Sequence, residues 1–261
     1  MTIDIICPLY NAKQYIDNLQ ASIEMQENVE ILNIRYIITK EKENTEEKVK
    51  KINNKKVIYK VIEPKEFSHS LIREKEAFES NADIIVFITQ DVKIEKKDWL
   101  YNLTKPIQNS EADATYSRQI CNDKKSIEYY TRQKNYPEYS KIKTKEDIEE
   151  LGMNAFFYSD ASSAIKKETF EKLNGYDNKR LPTNEDMYIA YKLITNGYRI
   201  KYCADSEVIH SHNFSIKETF NRYKSYGKFL KQEPQINIKS TKAGSRISKI
   251  YYNKSYKWQE F

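Results

Sequence analysis

Short apolar runs alternate with segments of helical periodicity through residues 3–89 of this 261-residue chain. The clearest run, residues 83–89 (DIIVFIT), is continuous and rich in β-branched side chains, as in strands that are covered on both faces. The alternation predicts the order β-α-β-α-β-α-β, which builds a parallel sheet with helices on both faces. The predicted strands are 3–7, 31–39, 57–62 and 83–89, and the predicted helices are 12–25, 42–52 and 68–81.

The second half of the chain predicts a mixture of helices and strands. Helices are expected near 126–134, 145–151, 167–173, 185–195 and 215–231, and strands near 155–160, 198–203 and 206–211. Ligands of parallel sheets bind at the carboxyl ends of the strands, which here carry the loops 8–12 and 90–92. Neither GxGxxG nor GxxxxGK[ST] occurs, so the sequence indicates no Rossmann dinucleotide site and no P-loop.

Composition is typical of a folded protein outside the membrane. Hydrophobic residues make up 39% of the chain and 21 residues are Tyr, which is too rich for wholesale disorder. No apolar run approaches the roughly 18 residues that span a bilayer, and the amino-terminal residues are not typical of a signal peptide. Three widely spaced cysteines argue against a disulfide framework or a zinc knuckle. We therefore expect a cytoplasmic protein.

Basic charge is concentrated at the end of the chain. Lys and Arg number 44 against 38 Asp and Glu, a net charge of +6. Residues 221–261 alone carry ten basic and two acidic groups, together with eight aromatic residues. Such a segment suits an anionic membrane surface or a nucleic acid, although a solvated chain end has the same composition. The remaining 220 residues are slightly acidic, which disfavours nucleic acid as the main ligand.

Three groups of residues could carry chemistry. Asp91 follows the clearest strand, where a carboxylate could bind a divalent cation, although it could equally be a turn or helix-capping residue. Glu185 and Asp186 begin a predicted helix, where the helix dipole favours acids and where one acid could act as a general base. His210 and His212 lie two positions apart on a strand, so both face the same side. Together they suggest a metal-assisted site on an α/β sheet.

The order of these motifs resembles that of the family 2 glycosyltransferases, which have the GT-A fold. The resemblance covers residues 3–231 and is closest to the branch that transfers L-rhamnose from a nucleotide. The motifs that carry it are Pro8-Leu-Tyr-Asn-Ala12, Glu66-Phe-Ser-His69, Thr89-Gln-Asp-Val92, Ser117-Arg-Gln119, Asn135-Tyr-Pro137, Ser159-Asp160, Gly175-Tyr-Asp177, Asn184-Glu-Asp-Met187 and Val208-Ile-His-Ser-His-Asn213.

The resemblance implies roles for individual residues. Asp91 would hold Mg²⁺ or Mn²⁺ against the donor diphosphate, with His210 or His212 completing the site. Asp186 would be the general base for the acceptor hydroxyl, and Glu185 would orient it. The residues expected to contact the nucleotide-sugar are Pro8, Tyr10, Asn11, Arg73, Gln90 and Arg118.

The resemblance also implies an architecture and an activity. The GT-A domain would cover residues 1–231, with a nucleotide-binding half (1–105), a catalytic and acceptor half (106–231) and a basic extension (232–261). Its mostly parallel central sheet would be flanked by helices. We expect an inverting, metal-dependent transferase that uses dTDP-L-rhamnose and a saccharide or lipid-linked acceptor in cell-surface polysaccharide synthesis.

Three alternatives to this activity stay open at this point. A UDP-hexose could replace dTDP-L-rhamnose as the donor. The chain could bind a sugar nucleotide without turnover. It could instead be a nucleic-acid-binding protein that acts through residues 221–261, a function that needs no Asp91.

Overall fold

Eight strands form one central sheet in the computed structural model of the chain, which describes residues 1–42, 44–212 and 214–240. The strands are β1 (Thr2–Leu9), β2 (Glu30–Thr39), β3 (Val57–Ile62), β4 (Ile84–Ile88), β5 (Ala114–Ile120), β6 (Lys141–Lys143), β7 (Ser162–Lys166) and β8 (Ile200–Ile209). Their order across the sheet is β3-β2-β1-β4-β7-β5-β8-β6.

Nine helices flank this sheet within the described residues. They are α1 (Ile16–Glu24), α2 (Thr45–Lys50), α3 (His69–Phe78), α4 (Trp99–Gln108), α5 (Ile127–Asn135), α6 (Ile148–Leu151), α7 (Lys167–Lys172), α8 (Glu185–Thr195) and α9 (Ile216–Gln232). Short 3₁₀ turns follow β3, precede and follow α6, and follow α9. None of the helices in this part of the chain is both long enough and apolar enough to cross a bilayer.

The amino-terminal half has the predicted alternation of strands and helices. Strands β3, β2, β1 and β4 are parallel neighbours, so their carboxyl ends meet at one edge of the sheet. β7 runs antiparallel to both β4 and β5, and β8 is parallel to β5. The sheet is therefore mixed: its four amino-terminal strands are parallel, and β5 and β8 form a second parallel pair.

Two predictions in the second half were wrong. The apolar run at 155–160 was predicted as a strand, but it is the end of a 3₁₀ turn (Gly152–Phe156) followed by a loop. The run is apolar because Phe156 packs into the core from this turn. The strands predicted at 198–203 and 206–211 are one strand, β8, which follows β5 through a register shift between Ser117 and Arg118.

The sheet separates two hydrophobic layers. Alternate residues of β4 face opposite sides, with Ile85 in one core cluster and Val86 in the other. Every residue of β4 is buried, as expected for a strand with helices on both faces. Each fully buried Ile, Val or Leu side chain contributes roughly 1.5–3 kcal/mol to stability. Packing between these two layers fixes the positions of the strand ends, where the candidate site lies.

Helix α9 and the residues after it belong to the packed body. Phe229 of α9 and Ile236 of the following turn are fully buried in the core that covers one sheet face. The carbonyl of Ile238 accepts a hydrogen bond from the backbone N–H of Met153. The predicted boundary at 231/232 therefore does not coincide with the end of packing. The last part of the predicted extension, 241–261, lies outside the described residues.

Candidate active site

A cavity of about 470 Å³ opens where the carboxyl ends of β1, β2 and β4 meet. It is formed by residues that follow or end strands and by the start of α3. The lining residues are Pro8, Leu9, Tyr10, Thr39, Pro64, Phe67, His69, Arg73, Thr89, Gln90 and Asp91. Five residues that were predicted to contact the nucleotide-sugar or to bind the metal ion are among them, namely Pro8, Tyr10, Arg73, Gln90 and Asp91. Asn11 and Arg118 are not among these lining residues of the described chain.

A pair of reciprocal hydrogen bonds joins the loops after β1 and β4. The backbone N–H of Tyr10 donates to Gln90 Oε1 at 2.8 Å, and Gln90 Nε2 donates to the Tyr10 carbonyl at 2.8 Å. The side-chain amide of Gln90 is thus engaged in fixing the backbone of Tyr10. The Tyr10 side chain stays 52% exposed, which leaves an aromatic surface at the cavity against which a planar base could stack.

Asp91 and the two predicted histidines lie together. The Nε2 atoms of His210 and His212 are 3.5 Å and 3.6 Å from Asp91 Oδ2. One ligand atom from each residue lies within 4.8 Å of the others. Ligands about 2.1 Å from a shared ion are separated by about 3–3.5 Å, which is close to the two distances from Asp91, so the three residues could hold one metal ion. A carboxylate with two imidazoles suits Mn²⁺ or another first-row divalent metal.

The electrostatics favour the ligating protonation states of Asp91 and His212. Burial opposes ionisation of Asp91, but the hydrogen bond and charge of His210, and then the charge of His212, hold the pKa of this carboxyl well below its usual range. Burial, followed by the charge of His210, lowers the pKa of His212. An ionised carboxylate and neutral imidazoles are the forms that bind metal ions.

A second group of acids lies at the start of α8. Asn184 has left-handed backbone torsion angles, with φ = 58°, and places Glu185 and Asp186 in the first helical turn. The guanidinium of Arg73 forms a buried ion pair with Glu185 and donates to the carbonyl of Asp160 at 3.2 Å. Arg73 is only 2% exposed. Arg73, which lines the cavity, therefore holds Glu185 in place, and its role as a diphosphate or sugar contact stays a prediction.

In the part of the chain that the structure describes, no cationic side chain forms a direct ion pair with Asp186 as Arg73 does with Glu185. Its Oδ1 accepts a hydrogen bond from the backbone N–H of Met187 at 2.8 Å. Burial, then the charges of Glu185 and Asp160, raise the pKa of Asp186 well above its usual value. A carboxylate with a raised pKa is a stronger proton acceptor, so its surroundings suit a general base. Glu185, already paired with Arg73, suits a positioning role.

Three polar residues at this site were not predicted from the sequence as site residues. The carboxyl of Asp160 accepts hydrogen bonds from Ser163 at 2.7 Å and Tyr176 at 2.8 Å, and burial is the main cause of its raised pKa. His69 lines the cavity, where burial and the charge of Arg73 lower its pKa. The buried hydroxyl of Thr39 also lines the cavity and has no hydrogen-bond partner in the described part of the chain.

Arg118 lies apart from this group. It is on β5, next to Gln119, and successive strand residues face opposite sides of a sheet. Its guanidinium pairs with Glu138 at 3.0 Å and Glu207 at 3.4 Å. The role predicted for Arg118 stays a prediction. Asn11, whose φ of 48° is left-handed, adjoins Tyr10 in the turn after β1.

This arrangement defines a class of protein: a mixed α/β sheet with a cavity and an Asp-His-His group at the carboxyl ends of its strands, and a cluster of acids around Arg73. Among solved structures, the chain is similar to the mannosyltransferase PcManGT from Pyrobaculum calidifontis in complex with GDP-Man and Mn²⁺. The TM-score is 0.63 at 15% identity, over 87% of this chain and 61% of that chain. The likeness confirms the GT-A fold, although the chain spans less than two thirds of that structure.

Sequence comparisons identify the family. The glycosyl transferase family 2 profile matches residues 4–173. The O-antigen chain rhamnosyltransferase RfbN of Salmonella typhimurium is 32% identical over 238 residues, which are 90% of this chain and 74% of that protein. The rhamnosyltransferase WbaN of Salmonella anatum is 35% identical over 178 residues, 67% of this chain and 56% of that protein. The chain belongs to glycosyl transferase family 2, and the predicted enzyme class, a glycosyltransferase, is confirmed.

Proposed function

We propose that this chain is an inverting, metal-dependent glycosyltransferase that moves L-rhamnose from dTDP-L-rhamnose to a saccharide or lipid-linked acceptor in cell-surface polysaccharide synthesis. The observation that carries the proposal is the spacing of Asp91, His210 and His212 beside the cavity. The rhamnosyl donor is supported by the names of the two relatives, both O-antigen chain rhamnosyltransferases.

The nucleotide would occupy the cavity. All its lining residues come from residues 8–91, inside the predicted nucleotide-binding half at 1–105. The exposed ring of Tyr10 would stack on the base, and the unpaired hydroxyl of Thr39 would donate to or accept from it. Asp91, His210 and His212 would hold Mg²⁺ or Mn²⁺. Such a cation, when bound, neutralises the negative charge of a departing diphosphate.

Asp186 would take the proton from the acceptor hydroxyl. Inversion requires the acceptor oxygen to approach the anomeric carbon on the face opposite the leaving diphosphate. Arg73 would fix Glu185 and the start of α8, so that the carboxylate of Asp186 keeps one position relative to the cavity. The raised pKa of Asp186 increases its basicity, which supports this role.

A transfer assay tests the proposal. The protein, with Mn²⁺ and a lipid-linked saccharide acceptor, is supplied in parallel with dTDP-L-rhamnose and UDP-hexoses, and nucleoside diphosphate release is measured. We expect turnover with dTDP-L-rhamnose that stops with EDTA. Turnover with UDP-hexoses alone would move the donor to the UDP sugars. Turnover unchanged by EDTA would contradict the role of the cation.

We also propose that α9 contacts an anionic membrane at the cytoplasmic face. Ile216, Phe220 and Tyr223 form one stripe of the helix and are 91%, 67% and 71% exposed. A row of basic side chains lies beside this stripe, at the helical spacing that suits a membrane surface. The row consists of Lys217, Lys224, Lys228 and Lys231.

Vesicle sedimentation tests this contact. The chain should sediment with vesicles that contain anionic phosphatidylglycerol and not with pure phosphatidylcholine. Phe220→Ser should weaken sedimentation, whereas Thr219→Ser, one position away on the same exposed helix, should leave it unchanged. Equal recovery of the wild type and Phe220→Ser on anionic vesicles would contradict the contact.

A further inference from the structure

Helix α5 reaches the backbone of His212 through an acidic side chain. Glu128 Oε2 accepts a hydrogen bond from the backbone N–H of His212 at 2.6 Å. The other oxygen, Oε1, accepts from Arg132 Nε at 3.1 Å and from a terminal nitrogen of Arg132 at 2.8 Å. Two hydrogen bonds between a guanidinium and a carboxylate fix both the direction and the distance of the contact between the two side chains. The segment that carries His212 follows β8, which ends at Ile209.

The same Arg132 reaches the ring of His210 through Gln119. Arg132 donates to Gln119 Oε1, and Gln119 Nε2 donates to Ser159 Oγ at 2.7 Å. Because a guanidinium can only donate, the oxygen of the Gln119 amide must be the atom that faces Arg132. That oxygen lies 2.9 Å from His210 Nδ1.

The orientation of the Gln119 amide determines which nitrogen of His210 carries the proton. An amide oxygen only accepts, so a neutral His210 must hold its proton on Nδ1. In that neutral form Nε2, which lies 3.5 Å from Asp91 Oδ2, is the nitrogen left free to bind a metal ion. Metal-binding histidines are commonly fixed by an acceptor on the other ring nitrogen, and that contact sets both tautomer and ring angle.

We propose that Glu128, Arg132 and Gln119, together the α5 clamp, position both histidines of the metal group. Glu128 sets the backbone of His212, Gln119 sets the tautomer and ring of His210, and Arg132 joins the two. These are positioning residues, since none of them contacts Asp91 in the described structure. The proposal rests on the metal role given to His210 and His212 above, but the contacts themselves exist without a metal.

Nitrogen NMR of the histidine rings tests the clamp in the metal-free protein. The chain has three histidines, so ¹⁵N-histidine labelling gives a simple spectrum. The wild type should show His210 as the Nδ1–H tautomer. Arg132→Met and Gln119→Leu should move His210 toward the Nε2–H form that predominates in free imidazoles. Lys134→Ala, an exposed position on the same helix, should leave the ring signals unchanged.

Mn²⁺ binding provides the second measurement, by electron paramagnetic resonance of the free ion. Loss of outer contacts to metal ligands commonly lowers metal affinity by about 10–100-fold. We expect a loss in that range for Arg132→Met and for Gln119→Leu, with Lys134→Ala within about twofold of the wild type. Circular dichroism melts establish that each variant is folded.

The two measurements separate the clamp from the proposed function. Unchanged His210 ring signals in both folded variants would overturn the clamp, whatever the metal does. Wild-type Mn²⁺ affinity in both variants would overturn it as well. If the ring signals change as expected while even the wild-type protein binds no Mn²⁺, the clamp stands and the proposed metal chemistry fails.

Discussion

At the scale of single residues, the site has more carboxyl groups than positively charged side chains to pair with them. Asp160, Glu185 and Asp186 lie around one guanidinium, that of Arg73. Burial and mutual repulsion raise the pKa of Asp160 and Asp186, whereas Glu185 has the direct ion pair. This division of carboxylates supports the proposed roles of Glu185 as the orienting acid and Asp186 as the base. Ionising Asp186 at neutral pH must then cost stability, a common feature of catalytic groups.

Replacing Asp186 with Asn should remove the proton acceptor and little else. General-base catalysis contributes roughly 10²–10⁴-fold, so kcat should fall by about that factor. Nucleotide affinity, measured by calorimetry, should stay within about twofold, because Asp186 is not among the cavity-lining residues described here. Asp205→Asn, an exposed acid outside the site, is the matched control. Full activity of Asp186→Asn would mean that another group is the base.

The same variant should change the pH dependence of stability. A carboxyl whose pKa is raised by folding stabilises the fold while protonated, and this contribution is lost as pH rises through the raised pKa. Asn cannot ionise and avoids that loss. The melting temperature of Asp186→Asn should therefore match the wild type near about pH 4 and exceed it near about pH 8. A gap that is the same at both pH values would contradict the raised pKa.

Asp91→Asn should weaken cation-dependent nucleotide binding. The amide lacks the negative charge that attracts a divalent ion, while its size leaves the cavity intact. We expect the affinity for dTDP in Mn²⁺ to fall toward the value in EDTA. The control is Asp98→Asn, an exposed residue at the start of α4, which should bind as the wild type does. Wild-type affinity of Asp91→Asn in Mn²⁺ would remove Asp91 from the metal site.

At the scale of elements, the four amino-terminal strands were predictable because they are short runs rich in Ile and Val. β5 was not predicted, because its buried residues include Thr115, Ser117 and Gln119. Ser117 Oγ lies 2.6 Å from Ser162 Oγ and accepts from Trp99 Nε1 at 3.1 Å. These hydroxyls satisfy one another inside the sheet, so a strand with a polar sequence can be buried. Only the tertiary partners make this visible.

Gly152 tests how the segment after α9 attaches to the body. Its φ is +56°, and an added Cβ would lie 2.5 Å from Ser240 N and 2.7 Å from Ile238 O. Gly152→Ala should therefore destabilise the protein and speed amide exchange at Met153, whose N–H donates to Ile238. Gly197→Ala carries the same left-handed strain, at φ +83°, but meets nothing within 4 Å. Equal effects of the two substitutions would exclude the steric contact.

At the scale of the whole molecule, the site combines residues that are distant in sequence. Asp91 was predicted from its place after a buried strand, and His210 and His212 from their shared strand face. The fold brings all three together because β4 and β8 belong to one sheet and end at the same edge. Asp91 follows β4 as predicted, whereas His210 and His212 follow β8, which ends at Ile209, and do not lie on the predicted strand. Their place at strand ends was enough to bring them together as candidates.

The contacts of other site residues depend on tertiary packing, which a local sequence pattern does not show. Asp160 is the last residue of the segment 155–160 that was predicted as a strand, and its contact with Arg73 is visible only in the tertiary structure. Thr39 ends β2 without a charge or motif to mark it. Arg118 was chosen by its motif, but the direction of its side chain is set by strand register, which sequence alone did not define.

The proposed function depends on nucleotide binding in this cavity through a cation held by Asp91, His210 and His212. Calorimetric titration of dTDP, UDP and GDP, with Mn²⁺ and again with EDTA, tests it most directly. We expect binding that prefers dTDP and is lost in EDTA. Binding of equal strength in Mn²⁺ and EDTA, or no binding of any nucleotide, would contradict it.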